Sequence, residues 1–257
     1  MIGKRKPRNE LSSFLVKRGL WLVFVEIIII SFAWKFDIQF RHIGLQTIWS
    51  LGISMIVLAG LIHLPKKLIL AFSIVIIFGH NLLDNIHFDG SFLWAMLHQP
   101  QKIEFAEGHT VVFAYSLLPW IAVMSLGYCF GSLYEAAFDA EKRKQLLNGL
   151  GLTSLALFCI LISLNSYGDP VRWTNYGSIS KTLMSIFDVN KYPPSLLYLL
   201  ITLGGTFLCL ANSEKFKGKV VDFFCVFGRV PFFYYIIHIY LIHFIAVFAA
   251  EFTGFGW

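Results

Sequence analysis

Seven apolar segments, each near the length of a membrane span, constrain this chain more than any other feature of its sequence. A helix needs about 20 apolar residues to cross the hydrocarbon core of a bilayer. Only 14% of the residues are charged, against about a quarter in a soluble domain. We therefore predict an all-α, polytopic helical membrane protein with about seven transmembrane helices, in a single integral-membrane domain. The segments are 20–36, 45–64, 68–83, 110–134, 148–166, 195–212 and 230–249.

Lys and Arg are distributed unevenly over the loops between these segments. The N-terminal stretch and the loops 65–67, 135–145 and 212–219 together carry fourteen, whereas the alternate loops carry five. Cytoplasmic loops are enriched in Lys and Arg. We therefore expect a multi-pass protein of the plasma (cytoplasmic) membrane whose N-terminus is cytoplasmic. The long loops 84–109 and 167–194, and the C-terminus, are expected outside.

The composition also argues against several classes of partner. The four cysteines are scattered and none forms a CxxC pair, so they fit small core side chains better than a disulfide framework or a zinc site. The net charge of +6 comes from loops between apolar segments, which membrane topology explains better than nucleic-acid binding. The expected partner is the lipid bilayer. The sequence leaves open whether the protein forms a homodimer.

The segment FGHNLLDNIHF, residues 78–88, places four polar side chains at the end of the third apolar segment. On a helix, His80, Asp84 and His87 share one face and Asn81 lies beside it. An aspartate that accepts from an imidazole fixes its tautomer and raises its basicity, which suits a general base. We therefore predict His80 and Asp84 as a catalytic pair. The alternative is a polar cap at the interface, and no metal is expected because no third ligand is evident.

The loop between the fifth and sixth segments has the composition of a sugar-binding site. Aromatic rings can stack on the apolar face of a sugar, and carboxylate and amide groups can hold its hydroxyls. Turns in an exposed loop remain the alternative. The candidates for acceptor binding are Asn81, His87, Asn165, Asp169, Arg172 and Tyr192.

Four further residues are candidates because polar groups at membrane depth are costly. Glu26, within about two turns of the inner interface, would face a cavity or bond to a neighbouring helix. Tyr234 and His238 are expected to be buried in the last span. Arg229 precedes that span, after an expected interfacial segment at 221–228. Arg229 would bind a phosphate-bearing cofactor, with Lys215, Lys217 and Lys219 nearby, or anchor to lipid headgroups.

Seven stretches of the chain, in order, match a pattern that we identify with one family. They are KRGLWLVFVE, LGISMIVLAGLIHLP, FGHNLLD, LLPWIAVMSLGYCFG, SYGDP, VNKYPPSLLYLLITLG and FGRVPFFYYIIHIYLIH. Together they resemble the bacterial family of unknown function grouped with heparan-alpha-glucosaminide N-acetyltransferase, within the transmembrane acyltransferase group. YPPSLL and FGRVPFFYYIIH are the most specific pieces.

The resemblance implies an enzyme that takes an acyl group, such as acetyl, from cytoplasmic acyl-CoA and delivers it to a sugar amine or hydroxyl outside. His80 and Asp84 would then act on the acceptor, which Asn81, Asp169 and Arg172 would orient, and Arg229 would face the donor. The family begins with two further spans and a catalytic histidine that this sequence does not match. We therefore expect that this chain is the C-terminal seven spans of such a domain and that it is inactive by itself.

Two hypotheses compete with the acyltransferase. In a small-molecule transporter or flippase component, His80, Asp84 and Glu26 would relay protons. A transporter of this kind is expected to show two related halves with short or broken spans, and the sequence shows no such halves. The other hypothesis is a non-catalytic membrane fragment.

Overall fold

The computed structural model describes residues 7–254. The protein is 69% helical. A π-helical turn, Val25–Ile30, joins the first two helices, so that one continuous helix runs from Arg8 to Lys35. The α-helices are α1 (Arg8–Phe24), α2 (Ser31–Lys35), α3 (Thr47–Leu61), α4 (Lys66–Gly79), α5 (Phe92–Leu97), α6 (Leu117–Phe130), α7 (Ala140–Leu164), α8 (Ile179–Phe187), α9 (Leu196–Ser213), α10 (Lys219–Arg229) and α11 (Pro231–Thr253).

Within the described residues, five helices are long and apolar enough to cross a membrane. They are α7, α9, α11, and α4 and α6 with the 3₁₀ turns that extend them, His80–Leu83 and Gly131–Tyr134. The second predicted segment forms α3, whose 15 residues extend only about 22 Å. The fold is therefore that of a helical membrane protein, but the structure does not confirm seven spans.

The prediction of an all-α fold is incomplete, because the described chain also contains a three-stranded sheet. Strand β3 (His109–Phe113) lies in the middle, parallel to β1 (His42–Leu45) and antiparallel to β2 (Gln101–Ala106). The sequence TVVF in β3 is rich in β-branched residues, which favour strands. The predicted segment 110–134 includes most of this strand, so its first residues form β3 instead of a helix.

The sheet marks one end of the helical bundle. It lies between the end of α2 and the start of α3, and between the end of α4 and the start of α6. The loop before α9 reaches the same end, because Nε2 of His80 lies 2.8 Å from the carbonyl oxygen of Pro194. We call this the sheet end. It is the end that the charge pattern predicts to be outside, and its orientation in the membrane stays a prediction.

Two pairs of helices approach each other closely through glycines. A Cβ atom added to Gly19 of α1 would lie 2.6 Å from the carbonyl oxygen of Gly52 in α3. One added to Gly151 of α7 would lie 3.0 Å from the carbonyl oxygen of Gly204 in α9. Small residues at such crossings let helix backbones pack tightly in membranes. These contacts fix the helices whose ends carry the candidate site.

Candidate functional site

The polar cluster after α4 is not arranged as the helical spacing predicted. The α-helix ends at Gly79, and His80–Leu83 form a 3₁₀ turn. Four residues further along, a side chain is rotated by about 120° in a 3₁₀ turn instead of about 40° in an α-helix. In the described chain His80 and Asp84 have different hydrogen-bond partners, so the predicted hydrogen bond between them is not formed.

Both ring nitrogens of His80 lie within hydrogen-bond distance of backbone carbonyl oxygens. Its Nδ1 lies 3.0 Å from the carbonyl oxygens of both Ile76 and Ile77, and its Nε2 lies 2.8 Å from that of Pro194. Carbonyl oxygens only accept hydrogen bonds, so neither ring nitrogen is offered to a substrate as a base. The geometry favours a linking role for His80, between α4 and the segment before α9.

The actual partner of Asp84 is His98, which the sequence analysis missed. His98 follows the last residue of α5 and is 2% exposed. Its Nε2 lies 3.0 Å from Oδ1 of Asp84, and its carbonyl oxygen accepts from the hydroxyl of Ser116 at 2.6 Å. A carboxylate only accepts, so Nε2 carries a hydrogen, and in the neutral form of the ring Nδ1 carries the lone pair. Nδ1 is buried and has no hydrogen-bond partner within residues 7–254.

Asn81 completes this cluster. Its Nδ2 donates to Oδ2 of Asp84 at 2.8 Å, and its Oδ1 accepts from the backbone N–H of Leu196 at 2.8 Å. Asn81 thus orients the carboxylate and joins it to the start of α9. His87, by contrast, is exposed beyond the turn and does not join the cluster. The result is a pair of the partly buried Asp84 with the buried His98, in which one ring nitrogen of His98 has no partner among the described residues.

Three of the predicted acceptor residues surround one small depression. Asn165 donates to the carbonyl oxygen of Trp173, and Asp169 accepts from the backbone N–H groups of Val171 and Asn190. Arg172 is exposed beside them. The depression has a volume of about 10 Å³, which is about the space of a single water molecule. The hydrogen bonds of Asn165 and Asp169 shape the loop, and no sugar fits there as the loop stands.

Tyr192 lies instead at a larger cleft beside the sheet, of about 410 Å³. Its hydroxyl is 3.4 Å from that of Tyr115, and the rings meet edge to face. Hydrogen bonds from Tyr115 and then Lys191 lower the pKa of Tyr192, while burial raises the pKa of Tyr115. Gln46 and Lys102 also line the cleft. Its size and its mixture of aromatic and polar groups suit a small polar ligand.

Glu26 lies at the sheet end, which the charge pattern predicts to be outside, so its expected position near the inner interface does not agree with the predicted topology. Its carboxylate accepts from the backbone N–H groups of Gln46 and Trp49, at 3.2 Å and 3.0 Å. The helix begins at Arg8, well before the apolar segment, so that Glu26 lies about 27 Å along its axis. Two alternatives were predicted for the Glu26 side chain, and the structure confirms the hydrogen bond to a neighbouring helix.

The last span does not bury the residues predicted there. Tyr234 is 54% exposed, and His238 is only partly buried. Nδ1 of His238 lies 3.0 Å from the carbonyl oxygen of Tyr234 on its own helix, and the two rings stack. Arg229 is exposed in the last turn of α10, at the end of the bundle away from the sheet. The expected interfacial segment 221–228 lies within α10.

The comparisons with known proteins give one match. The model of the family described as heparan-alpha-glucosaminide N-acetyltransferase, catalytic, matches residues 4–167. The matched part includes Glu26, Asp84 and His98, whereas Tyr192 and Arg229 lie beyond it. No curated protein and no solved structure matches the chain. Residues 7–254 contain no group of three or more His, Cys, Asp or Glu side chains placed to hold a metal.

Proposed function

The chain belongs to the heparan-alpha-glucosaminide N-acetyltransferase family, and from this premise we propose that it acts as a membrane-bound acyltransferase. The acyl group, such as acetyl, comes from acyl-CoA on the cytoplasmic side. The acceptor is a sugar amine or hydroxyl at the sheet end. The observation that supports this proposal most is the Asp84–His98 pair, in which the buried Nδ1 of His98 has no hydrogen-bond partner among the described residues.

The chemistry needs a base at the acceptor. As the acceptor nitrogen or oxygen bonds to the thioester carbonyl carbon, it must lose a proton. The carbon–sulfur bond breaks, and the departing CoA thiolate takes a proton from solvent to become the thiol. In our proposal Nδ1 of His98 takes the proton that the acceptor loses. Asp84 holds the ring through Nε2 and stabilises the imidazolium that forms. Asn81 keeps the carboxylate in place.

The acceptor would bind in the cleft beside the sheet. The rings of Tyr115 and Tyr192 offer faces for a sugar, and Gln46 offers an amide group to its hydroxyls. This assignment keeps the predicted role of Tyr192 and moves the acceptor away from Asn165 and Asp169, whose polar atoms are occupied by the loop.

The donor would bind at the opposite end through cationic side chains. Arg229 and the nearby Lys215, Lys217 and Lys219 are exposed there, and each can make a charge-assisted contact to a phosphate. Loss of one such contact costs about 1.5–3 kcal/mol, so Arg229→Ala should weaken acyl-CoA binding at least about tenfold. Unchanged affinity in that variant would leave Arg229 as a headgroup anchor.

The test of the proposed base is the variant His98→Ala in the full protein, reconstituted in lipid. A general base contributes about 10²–10⁴-fold in rate, so we expect transfer to fall at least about a hundredfold. Asp84→Asn should cost less, because it keeps an acceptor for Nε2. The matched control is the exposed His87→Ala. Transfer by His98→Ala at the rate of the control would overturn the proposal.

The structure gives the competing transporter hypothesis little support. A relay through Glu26, His80 and Asp84 requires these groups to exchange protons with one another. Glu26 is bonded to backbone N–H groups of α3, and His80 to backbone carbonyl oxygens. Neither makes a hydrogen bond to Asp84 in the described chain.

A further inference from the structure

An apolar cavity of about 460 Å³ lies between α4, α6, α7 and α9. We call it the lateral hollow. Apart from Cys129, Thr153 and Ser154, its lining is aliphatic and aromatic. It is therefore unlike the cleft beside the sheet, which has amide, hydroxyl and ammonium groups.

Hydrogen bonds join the elements around the lateral hollow at each of its two ends. At the sheet end, Nε2 of His80 contacts the carbonyl oxygen of Pro194, and Oδ1 of Asn81 accepts from the N–H of Leu196. At the other end, Arg143 of α7 donates to the carbonyl oxygen of Leu133 at 3.3 Å, beyond α6. Between these hydrogen bonds α4 and α6 pack together, as do α7 and α9, and the space between the two pairs stays unfilled.

The lateral hollow is lined by helices that are long and apolar enough to cross a membrane, and its rim on α4 and α7 is partly exposed. Its lining on α7 runs from Leu146 to Leu157, a length of about 16 Å along the helix. Leu70, Ile74 and Leu146 at its rim are about two-fifths exposed on helices that qualify as membrane spans. Such a lining gives water or a sugar almost no hydrogen-bond partners. The apolar lining of the hollow matches the polarity of the hydrocarbon interior of a bilayer.

The end of the lateral hollow nearest the sheet leads towards the candidate site. Phe78 lines the hollow there, and its carbonyl oxygen accepts a hydrogen bond from the hydroxyl of Tyr167. Asn81, three residues after Phe78, joins the carboxylate of Asp84 to the first residue of α9 at this end. A head group attached to a chain in the hollow would therefore emerge beside Asp84.

From this geometry we propose that the lateral hollow binds one acyl chain of a lipid and that this lipid carries the sugar acceptor. The chain enters sideways from the bilayer, and the head group is presented to the Asp84–His98 pair. This inference rests on the proposed function for the acceptor, but the binding of the chain can be tested without activity.

The first experiment measures occupancy. The full protein is placed in vesicles of phosphatidylethanolamine and phosphatidylglycerol that contain a phosphatidylethanolamine with a diazirine in its acyl chain. After illumination, crosslinks are mapped by mass spectrometry. We expect crosslinks in the lateral hollow, at least fivefold weaker in Thr153→Trp, whose ring fills it. The control is Leu152→Trp on the neighbouring exposed position. No crosslink inside the hollow would overturn the proposal and would point to protein, such as a second copy, as its occupant.

The second experiment asks whether the chain belongs to the acceptor. Transfer is compared for free glucosamine and for glucosamine linked to a long alkyl chain. Thr153→Trp should lower transfer to the alkyl glucosaminide at least tenfold and leave transfer to free glucosamine unchanged. Equal effects on both would overturn the acceptor assignment and leave a bilayer lipid in the hollow. If the wild-type protein transfers to neither, the proposed function fails, and the crosslinks alone decide whether a chain binds.

Discussion

The carboxylate of Glu26 caps a helix other than its own, by accepting a hydrogen bond from the backbone N–H of Trp49 at 3.0 Å. Its second oxygen accepts from the N–H of Gln46 at 3.2 Å. The first N–H groups of a helix lack acceptors within that helix, and no side chain of α3 caps them. Glu26, which is fully buried, therefore joins the first helix to the start of α3.

The removal of this carboxylate should destabilise the protein. Glu26→Ala leaves the buried N–H of Trp49 and the partly buried N–H of Gln46 without acceptors, and a buried N–H without an acceptor costs about 1–3 kcal/mol. Glu26→Gln should cost less, because one oxygen remains to accept. Thermal unfolding of the purified protein in detergent measures both effects. The control is Glu10→Ala, at an exposed position in the first turn of α1. Equal unfolding temperatures for Glu26→Ala and the control would contradict the capping role.

The crossing of the first helix with α3 should not tolerate a methyl group. In Gly19→Ala the new Cβ would lie 2.6 Å from the backbone oxygen of Gly52 and 2.7 Å from Cγ1 of Ile56. The backbone oxygen cannot move aside without separating the helices, so we expect a loss of about 1–3 kcal/mol. Gly60→Ala in α3 meets nothing within 4 Å and serves as the control. Unfolding temperature again reports the difference, and the same loss in both variants would argue against this crossing.

Asp37 should titrate at unusually low pH. The side-chain hydrogen bond from the Arg41 guanidinium, with backbone N–H groups of Gln39 and Arg41, lowers the pKa of Asp37 to about 2. Its ordinary value is about 3.9. Because the folded value is lower, the pair stabilises the loop above about pH 4 and ceases to do so as the pH falls towards 2. Carboxyl carbon NMR of labelled protein should show the pKa rise in Arg41→Ala. No change would mean that Arg41 does not contact Asp37 in solution.

The orientation of the bundle can be tested by labelling of intact cells. The asymmetry of Lys and Arg predicts that the loop 135–145 is cytoplasmic and the loop 167–194 is outside. On a background without native cysteines, Cys introduced at Ala136 should be protected from an impermeant thiol reagent. Cys introduced at Gly177 should react. The reverse pattern would invert the topology and move the Asp84–His98 pair to the cytoplasmic side.

The sequence predicted the helices better than the site. Long apolar runs identify α4, α7, α9 and α11 because the bilayer sets both their composition and their length. The strand β3 was missed because its apolar residues continue directly into a span. The expected depth of Glu26 does not agree with the predicted topology because α1 begins within a basic, loop-like stretch, whose helical character the apolar count does not detect.

The sequence predicted only part of the site, and the reason differs from the reason for the errors in the fold. Asp84 and Asn81 were selected correctly as neighbours, and they are hydrogen-bonded. The choice of His80 as partner assumed that the α-helix continues, and a single 3₁₀ turn changes the direction of every later side chain. His98 lies 14 residues beyond Asp84, across a loop and another short helix. Only the fold of that loop brings the two together.

The parallel pairing of β1 with β3 has a consequence for how the protein is made. His42 and Thr110, which pair in the register of these strands, are separated by 68 residues. At about 5–20 residues per second, a ribosome needs about 3–14 s to synthesise the missing partner. During that interval β1 has no β3 to pair with, and α3 and α4 are made before the strand that completes the sheet. The pairing of β1 within the sheet is therefore a late step, set by the synthesis of β3.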